Sequence, residues 1–402
     1  MKLLPSVRVG SLPASSKSAR LADLSAPHVE SFNFMLDGGL TLGLEDIPAR
    51  EVRLANGEVL HFRLVDATIA LPVGDGGTAA SDPRLFPNEC RERGATYEGE
   101  LTVTLARRVG DDGEEIRSQH RLGGVPIMIR SSRCHLASLG PAALVLAREE
   151  PTEFGGYFIC NGIERVIRML QIPKRNYPMA ITRSAYLNRG PLYTDKGVVM
   201  RCTRADQSSV TLTLHYLADG SATARFTVKK QEFFLPVVLV LKALSGSPDR
   251  EIFERVLAGD TTNTYLADRV LLLLRDAKRL GAAIHSKDAA LAYLGARFRA
   301  VLDVPTGATD KEVGQTLLSR HVLVHLPGDG DVGAREKFDV LILMLRKLYA
   351  FVAGAVTDDN ADSLANQEFL LGGHLINVFL KEKLYEFTQV RRRRRRRRKN
   401  FT

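Results

Sequence analysis

Residues 153–170 read EFGGYFICNGIERVIRML, and the reading of this stretch decides how the chain around it is organised. Asn161-Gly162 is a pair in which both residues tolerate positive φ, so a two-residue type I′ turn is expected there. The flanking runs, YFIC and IERVIRM, then become the two strands of a hairpin. Pairing outward from the turn sets Cys160 opposite Ile163, Ile159 opposite Glu164, Phe158 opposite Arg165 and Tyr157 opposite Val166. Arg165 therefore shares a face with Phe158 and Cys160. Gly155-Gly156 frees the backbone just before the first strand. Gly155, Gly156, Asn161 and Gly162 are the structural residues of the turn. Arg165, Arg168, Lys174 and Arg175 form a run of cations beyond it, suited to phosphate by the geometry of the guanidinium.

Other segments agree with a strand-rich first half. EVRLANGEVLHFRLVDATIAL carries Asn56-Gly57 between alternating runs, a second hairpin signal. YEGELTVTLARRVGDDGEEIRSQHRLGGVPIMIRS alternates at Leu101, Val103 and Leu105, turns through an acidic, glycine-containing segment and returns. Proline and glycine at 71–87 mark a longer loop. A short helix starts at Pro141. SSVTLTLHYLADGSATARFTVKKQEFFLP predicts a hairpin turned at Asp219-Gly220.

Helical periodicity then takes over. REIFERVLAG and TYLADRVLLLLRDAKRLGA are amphipathic, Ser286 is an expected N-cap, and Thr309 with Glu312 forms a capping box. AREKFDVLILMLRKLYAFVAG closes at Gly354, and the polar link TDDNADS leads to a last helix, HLINVFLKEKLYEF. The fold class is α+β, β-rich in front and helix-rich behind.

Composition narrows the function classes. The chain has 402 residues and a net charge of +10, but residues 391–399 alone are eight arginines and a lysine. Without those nine charges the body stands at +1. Nucleic-acid binding by the body must therefore come from local patches, because the basic balance belongs to one tail. No run is long and apolar enough to predict a membrane span. Cys90, Cys134, Cys160 and Cys202 are too far apart for a C-x-x-C pair and read as reduced structural thiols.

Three chemical readings fail on their own terms. Gly328, Gly330 and Gly333 satisfy G-x-G-x-x-G after a strand-like run, and Asp358 lies at the distance of a ribose acid. Asp329 and Asp331, however, put negative charge where a pyrophosphate would sit, and no βαβ series surrounds the motif. His321 and His325 share a face, but no further ligands complete a metal set. The carboxylates of GDDGEE and TDDNAD read as solvated loops. No catalytic residue and no metal site is assigned.

GGYFICNGIERVIRML resembles the G-G-Y-F-I-I-N-G-x-E-K/R-V segment of the second-largest subunit of multisubunit RNA polymerases. LGGVPIMIRSSRCHL and FPNECRERGATYEGEL resemble two further segments of that family. HVESFNFMLDGGL, RNYPMAI, RGPLYTDKGVVMRC, LTLHYL, FFLPVVLVLKAL, NQEFLL and FLKEKL resemble its eukaryotic RNA polymerase I branch. The likeness runs from about residue 28 to residue 388.

This resemblance implies a protrusion domain with a mixed α/β lobe inserted into it. The expected boundaries are a flexible N-terminal arm at 1–27, protrusion at 28–171, lobe at 172–365, return to the protrusion at 366–390, and a disordered polybasic tail at 391–402. It implies a wall of the DNA cleft in DNA-templated synthesis of ribosomal RNA precursor, in the nucleus and nucleolus. The expected partners are the largest and other polymerase subunits and the DNA template, with no membrane. The family's fork, hybrid-binding and clamp parts come after the matching segments. Mg2+ and Zn2+ are therefore expected only in the complete enzyme, and this chain alone is expected to be inactive. Arg165 stands where the family has Lys or Arg facing the nucleic acid. The alternative is a non-catalytic, nucleic-acid-binding or dominant-negative fragment acting through the polyarginine tail.

Overall fold

A computed structural model of the chain describes residues 14–54, 56–74, 83–110, 113–260, 262–279, 284, 286–305, 307–328 and 330–399. Parts of the expected arm, the 71–87 loop, the acidic turn and the extreme C-terminus thus lie outside the described residues. The chain divides into two compact units, one of residues 1–170 with 369–402 and the other of residues 171–368.

The first unit opens with α1 (Ala14–Phe34), a π turn at Met35–Gly39 and α2 (Leu40–Glu45). α1 begins at Ala14 and carries Pro27 inside it, so the segment expected as a loose arm up to residue 27 is helical over its second half. A four-stranded antiparallel sheet follows, in the order β1 (Arg50–Arg53), β2 (Val59–Ile69), β3 (Glu98–Val109) and β4 (Ile116–Pro126), with α3 (Pro87–Arg93) between β2 and β3. The hairpin expected at Asn56-Gly57 is the β1–β2 pair, and the one across the acidic turn is β3–β4. α4 (Pro141–Leu146) leads to β5 (Phe158–Cys160) and β6 (Ile163–Arg165).

The second unit takes β7 (Leu170–Pro173) into a five-stranded antiparallel meander: β8 (Met179–Thr182), β9 (Tyr193–Thr203), β10 (Ser209–Leu217), β11 (Ala222–Val228) and β12 (Gln231–Pro236). The Asp219-Gly220 turn joins β10 to β11, with Thr213 opposite Arg225. Six helices follow: α5 (Val237–Ser245), α6 (Asp249–Leu257), α7 (Thr264–Arg279), α8 (Lys287–Phe298), α9 (Asp310–His321) and α10 (Gly330–Val352). α5 is buried from Val237 to Leu244, and its one charge there, Lys242, pairs with Asp249 at 2.7 Å. Ser286 caps α8 through the Ala289 N–H, and Thr309 and Glu312 cap α9 reciprocally.

One core holds the β10–β11 face, α5 and the buried stripe of α10, including Leu214, Phe226, Leu241, Phe338 and Leu345. Lys337 on α10 is buried, and its ammonium donates to Leu318 O and Val322 O, both at 2.9 Å. It thereby satisfies carbonyls that the end of α9 leaves open. The aspartates of TDDNAD do more than face water. Asp359 accepts from the Ala180 N–H on β8 at 2.8 Å and pairs with Lys347 at 2.7 Å. The linker thus covers an edge of the sheet.

The chain returns to the first unit through β13 (Gln367–Leu370) and α11 (Gly372–Lys399). α11 joins the first unit's core through Leu380 and Leu384, one turn apart. Three residues at a spacing of four tie the same helix to α1, the π turn and the end of α2. The Gly373 N–H donates to Ser31 Oγ at 3.1 Å, Asn377 Nδ2 to Gly39 O at 3.1 Å, and Lys381 pairs with Asp46 at 2.7 Å. α11 continues through the arginine run to Lys399, where a disordered tail was expected. Arginine is a good helix former, so the run can extend a helix already nucleated by packing.

Candidate nucleic-acid interface

The hairpin of residues 153–170 forms as its sequence dictates. β5 and β6 pair with Phe158 opposite Arg165, Ile159 opposite Glu164 and Cys160 opposite Ile163. Asn161 and Gly162 both take positive φ, 54° and 75°. The expected fourth pair, Tyr157 with Val166, is not part of this ladder. The Tyr157 carbonyl accepts instead from the Ile129 N–H at 2.9 Å, which turns the strand end toward the 127–129 segment.

The turn is seated as well as formed. The Gly162 N–H donates to Ala95 O at 2.8 Å, and the Asn161 N–H to Thr96 Oγ1 at 3.0 Å. A Cβ on Gly162 would lie 2.8 Å from the Gly94 Cα, so only glycine fits against the end of α3. Gly155 and Gly156 also have positive φ, and the Gly156 N–H donates to Ile129 O. Phe158 and Ile159 are buried, which anchors one strand, whereas Ile163, Glu164 and Arg165 on the other are exposed.

Beside the hairpin sits Arg91 of α3, a residue that the reading of the sequence passed over. Its Nε donates to Glu164 at 2.9 Å, its Nη1 to Glu149 at 2.7 Å and its Nη2 to the Tyr157 hydroxyl at 2.7 Å. The Tyr157 hydroxyl in turn donates to Glu153 at 2.9 Å. Burial opposes the Arg91 charge, but the bonds to Glu149 and Glu164 outweigh it and hold the guanidinium more firmly protonated than usual. Burial also raises the Glu149 carboxyl, against the lowering effect of Arg91. The partners of Arg91 lie 58 to 73 positions away along the chain, so no local spacing could have exposed this group.

The four cations named from the sequence divide between the units. Arg165 and Arg168 belong to the first, and both are exposed. Lys174 and Arg175 belong to the second. Lys174 is exposed, with its ammonium 5.4 Å from the centre of the Tyr177 ring. Arg175 is engaged within its own unit, pairing with Glu368 at 3.0 Å and donating to Gln207 at 2.8 Å.

The rejected readings meet specific geometry. The segment before Gly328 is the end of α9 and a turn rather than a strand, and Gly330 starts α10. Asp331 is held ionised by Lys287 at 2.8 Å, and Asp329 lies outside the described residues. Among the described residues no group of three or more His, Cys, Asp or Glu side chains is placed to hold a metal ion. No described helix is long and apolar enough to cross a membrane.

Two antiparallel sheets, the buried hairpin strand and the helical half define an α+β protein, and its sequence settles the class. Residues 23–400 match the RNA polymerase beta subunit model, and the chain belongs to that family. Within it, the chain is similar to RNA polymerase I subunits. It is 41% identical over 398 residues to the DNA-directed RNA polymerase I subunit RPA135 of Saccharomyces cerevisiae, covering 94% of this chain and 33% of that protein. It is 44% identical to subunit RPA2 of Eremothecium gossypii over 94% of this chain and 32% of the relative. It is 40% identical to human RPA2 over 93% of this chain and 32% of the relative. The chain thus spans about a third of the length of the curated relatives it matches.

Proposed function

We propose that this chain supplies the protrusion and lobe of the second-largest subunit of RNA polymerase I, and so a wall of the cleft that holds template DNA during synthesis of the ribosomal RNA precursor. The similarity to RNA polymerase I subunits over more than nine-tenths of the chain carries this reading. On it, the first unit is the protrusion and the second the lobe. Arg165 and Arg168 on the first unit, and Lys174 on the second, face nucleic acid. Arg165 is the first contact, because its strand is backed by buried Phe158 and Ile159 and its guanidinium is exposed.

The chain's own residues bind and orient, and none is assigned to the chemical step. The described His, Cys, Asp and Glu side chains do not fit a metal centre. On this reading the magnesium of nucleotide addition and the structural zinc are supplied by other parts of the complete enzyme. The partners on this reading are the largest and remaining polymerase subunits, in the nucleolus. The test is affinity purification of the tagged chain from its own cells at moderate salt. Recovery of the largest RNA polymerase I subunit supports the proposal. An eluate without any polymerase subunit overturns it.

A further inference from the structure

We infer that Arg91 is a positioning residue, whose guanidinium holds the strand carrying Arg165 in the register from which Arg165 and Arg168 meet a phosphate backbone. The inference rests on the proposed reading of that strip as facing nucleic acid, and names the residue on which its geometry depends.

Three observations carry it. First, the two strands of the hairpin are fixed by different means. Main-chain bonds from Asn161 and Gly162 to residues 95–96 seat the turn. β5 is also held by the Ile129 N–H on Tyr157 O and the Tyr97 N–H on Ile159 O, whereas the ladder of β6 runs only as far as the Phe158–Arg165 pair. Second, Arg91 links the two strands from one point, reaching Tyr157 on the chain entering β5, Glu164 in the middle of β6 and Glu149 beyond α4. Glu149 and Tyr157 are buried and Glu164 is exposed, so the guanidinium leads from the core out to the strand. A planar fork with five donors fanned over three nitrogens can span acceptors on three separate segments, whereas the three donors of a lysine ammonium all leave one atom. Third, the residue next to Glu164 is Arg165. Its backbone is held by Phe158 across the ladder, next to the Ile159–Glu164 pair.

The test compares DNA-duplex affinity of the 402-residue chain across a salt series for four variants. Arg165→Ala and Arg168→Ala test the underlying reading. Each should weaken binding and reduce the salt slope by about one released counter-ion. Glu164→Gln cuts only the link from Arg91 to β6. By charge alone, removing an anion beside two arginines strengthens binding to DNA; loss of positioning weakens it, by about threefold. Arg91→Lys keeps the charge and should weaken binding in the same direction. Should Arg91→Lys fail to fold, Glu164→Gln decides, since its own carboxylate is exposed. Unchanged or stronger binding by Glu164→Gln, alongside weakened Arg165→Ala, overturns the inference and leaves the reading standing. Unchanged binding by both arginine variants overturns the reading itself.

Discussion

His215 shows how a single residue's surroundings set its chemistry. It is fully buried in β10, with the Tyr186 ring centre 4.4 Å away and Tyr193 and Phe234 packed close by. Arg189 bonds its Nε2. Burial, and then the charges of Arg189 and Arg225, push its pKa down from 6.5 to about 3. The folded state therefore refuses a proton that the unfolded chain accepts. Its contribution to stability is intact above pH 6.5 and is lost as the pH falls toward 3, by at most about 1.4 kcal/mol per pH unit. His215→Gln retains an acceptor for Arg189 and does not titrate. Urea denaturation followed between pH 7 and 4 should show a shallower loss of stability in this variant than in the parent; equal slopes would show that His215 does not drive the acid sensitivity. The sequence could not show this setting, because the rings and guanidinia around His215 come from four separate segments.

Elements record the same division between local and distant causes. The turns at Asn161-Gly162 and Asp219-Gly220, and the caps at Ser286 and Thr309, were legible because their chemistry lies within four residues. The turn between β11 and β12 was not. There Lys229 and Lys230 take φ of 48° and 69°, although neither residue type favours that region. The flanking ladder, Val228 opposite Gln231, forces the conformation. Lys230→Gly should therefore stabilise the protein by about 0.5–1 kcal/mol, read as a raised denaturation midpoint. A lowered midpoint would mean that the Lys230 side chain contributes more than its backbone costs. The α1–α11 crossing gives the opposite case. A Cβ on Gly373 would lie 2.1 Å from Ser31 O, so Gly373→Ala must part the helices. Its expected cost is about 2–4 kcal/mol, measurable by the same denaturation; a neutral result would show that the crossing relaxes freely.

At the scale of the whole molecule, the second unit is closed on itself where the chain enters and leaves it. The Lys174 N–H donates to Asn366 O at 2.9 Å, and Glu368 takes both Arg175 and the buried Arg201. With its own core in addition, residues 171–368 should fold without the rest. Expressed alone, this segment is expected to unfold in one cooperative transition. A fragment lacking near-ultraviolet circular dichroism, or without a transition, would show that the first unit is needed. In the full chain Glu368→Ala leaves Arg201 buried without its carboxylate, at a cost of about 3 kcal/mol.

By itself the sequence determined the hairpins, the helix caps, the isolation of the basic charge in one tail and the resemblance that places the chain in its family. Each rests on residues adjacent in the chain, whose φ preferences, side-chain periodicity or order act before any fold exists. Only the tertiary structure decided that Arg91 joins Tyr157, Glu149 and Glu164, that Lys337 closes the end of α9, and that Asp359 covers a sheet edge. Those bonds join residues far apart in sequence, and the partner of a buried charge is chosen by whichever group packing brings within about 3 Å, a distance that no local pattern encodes.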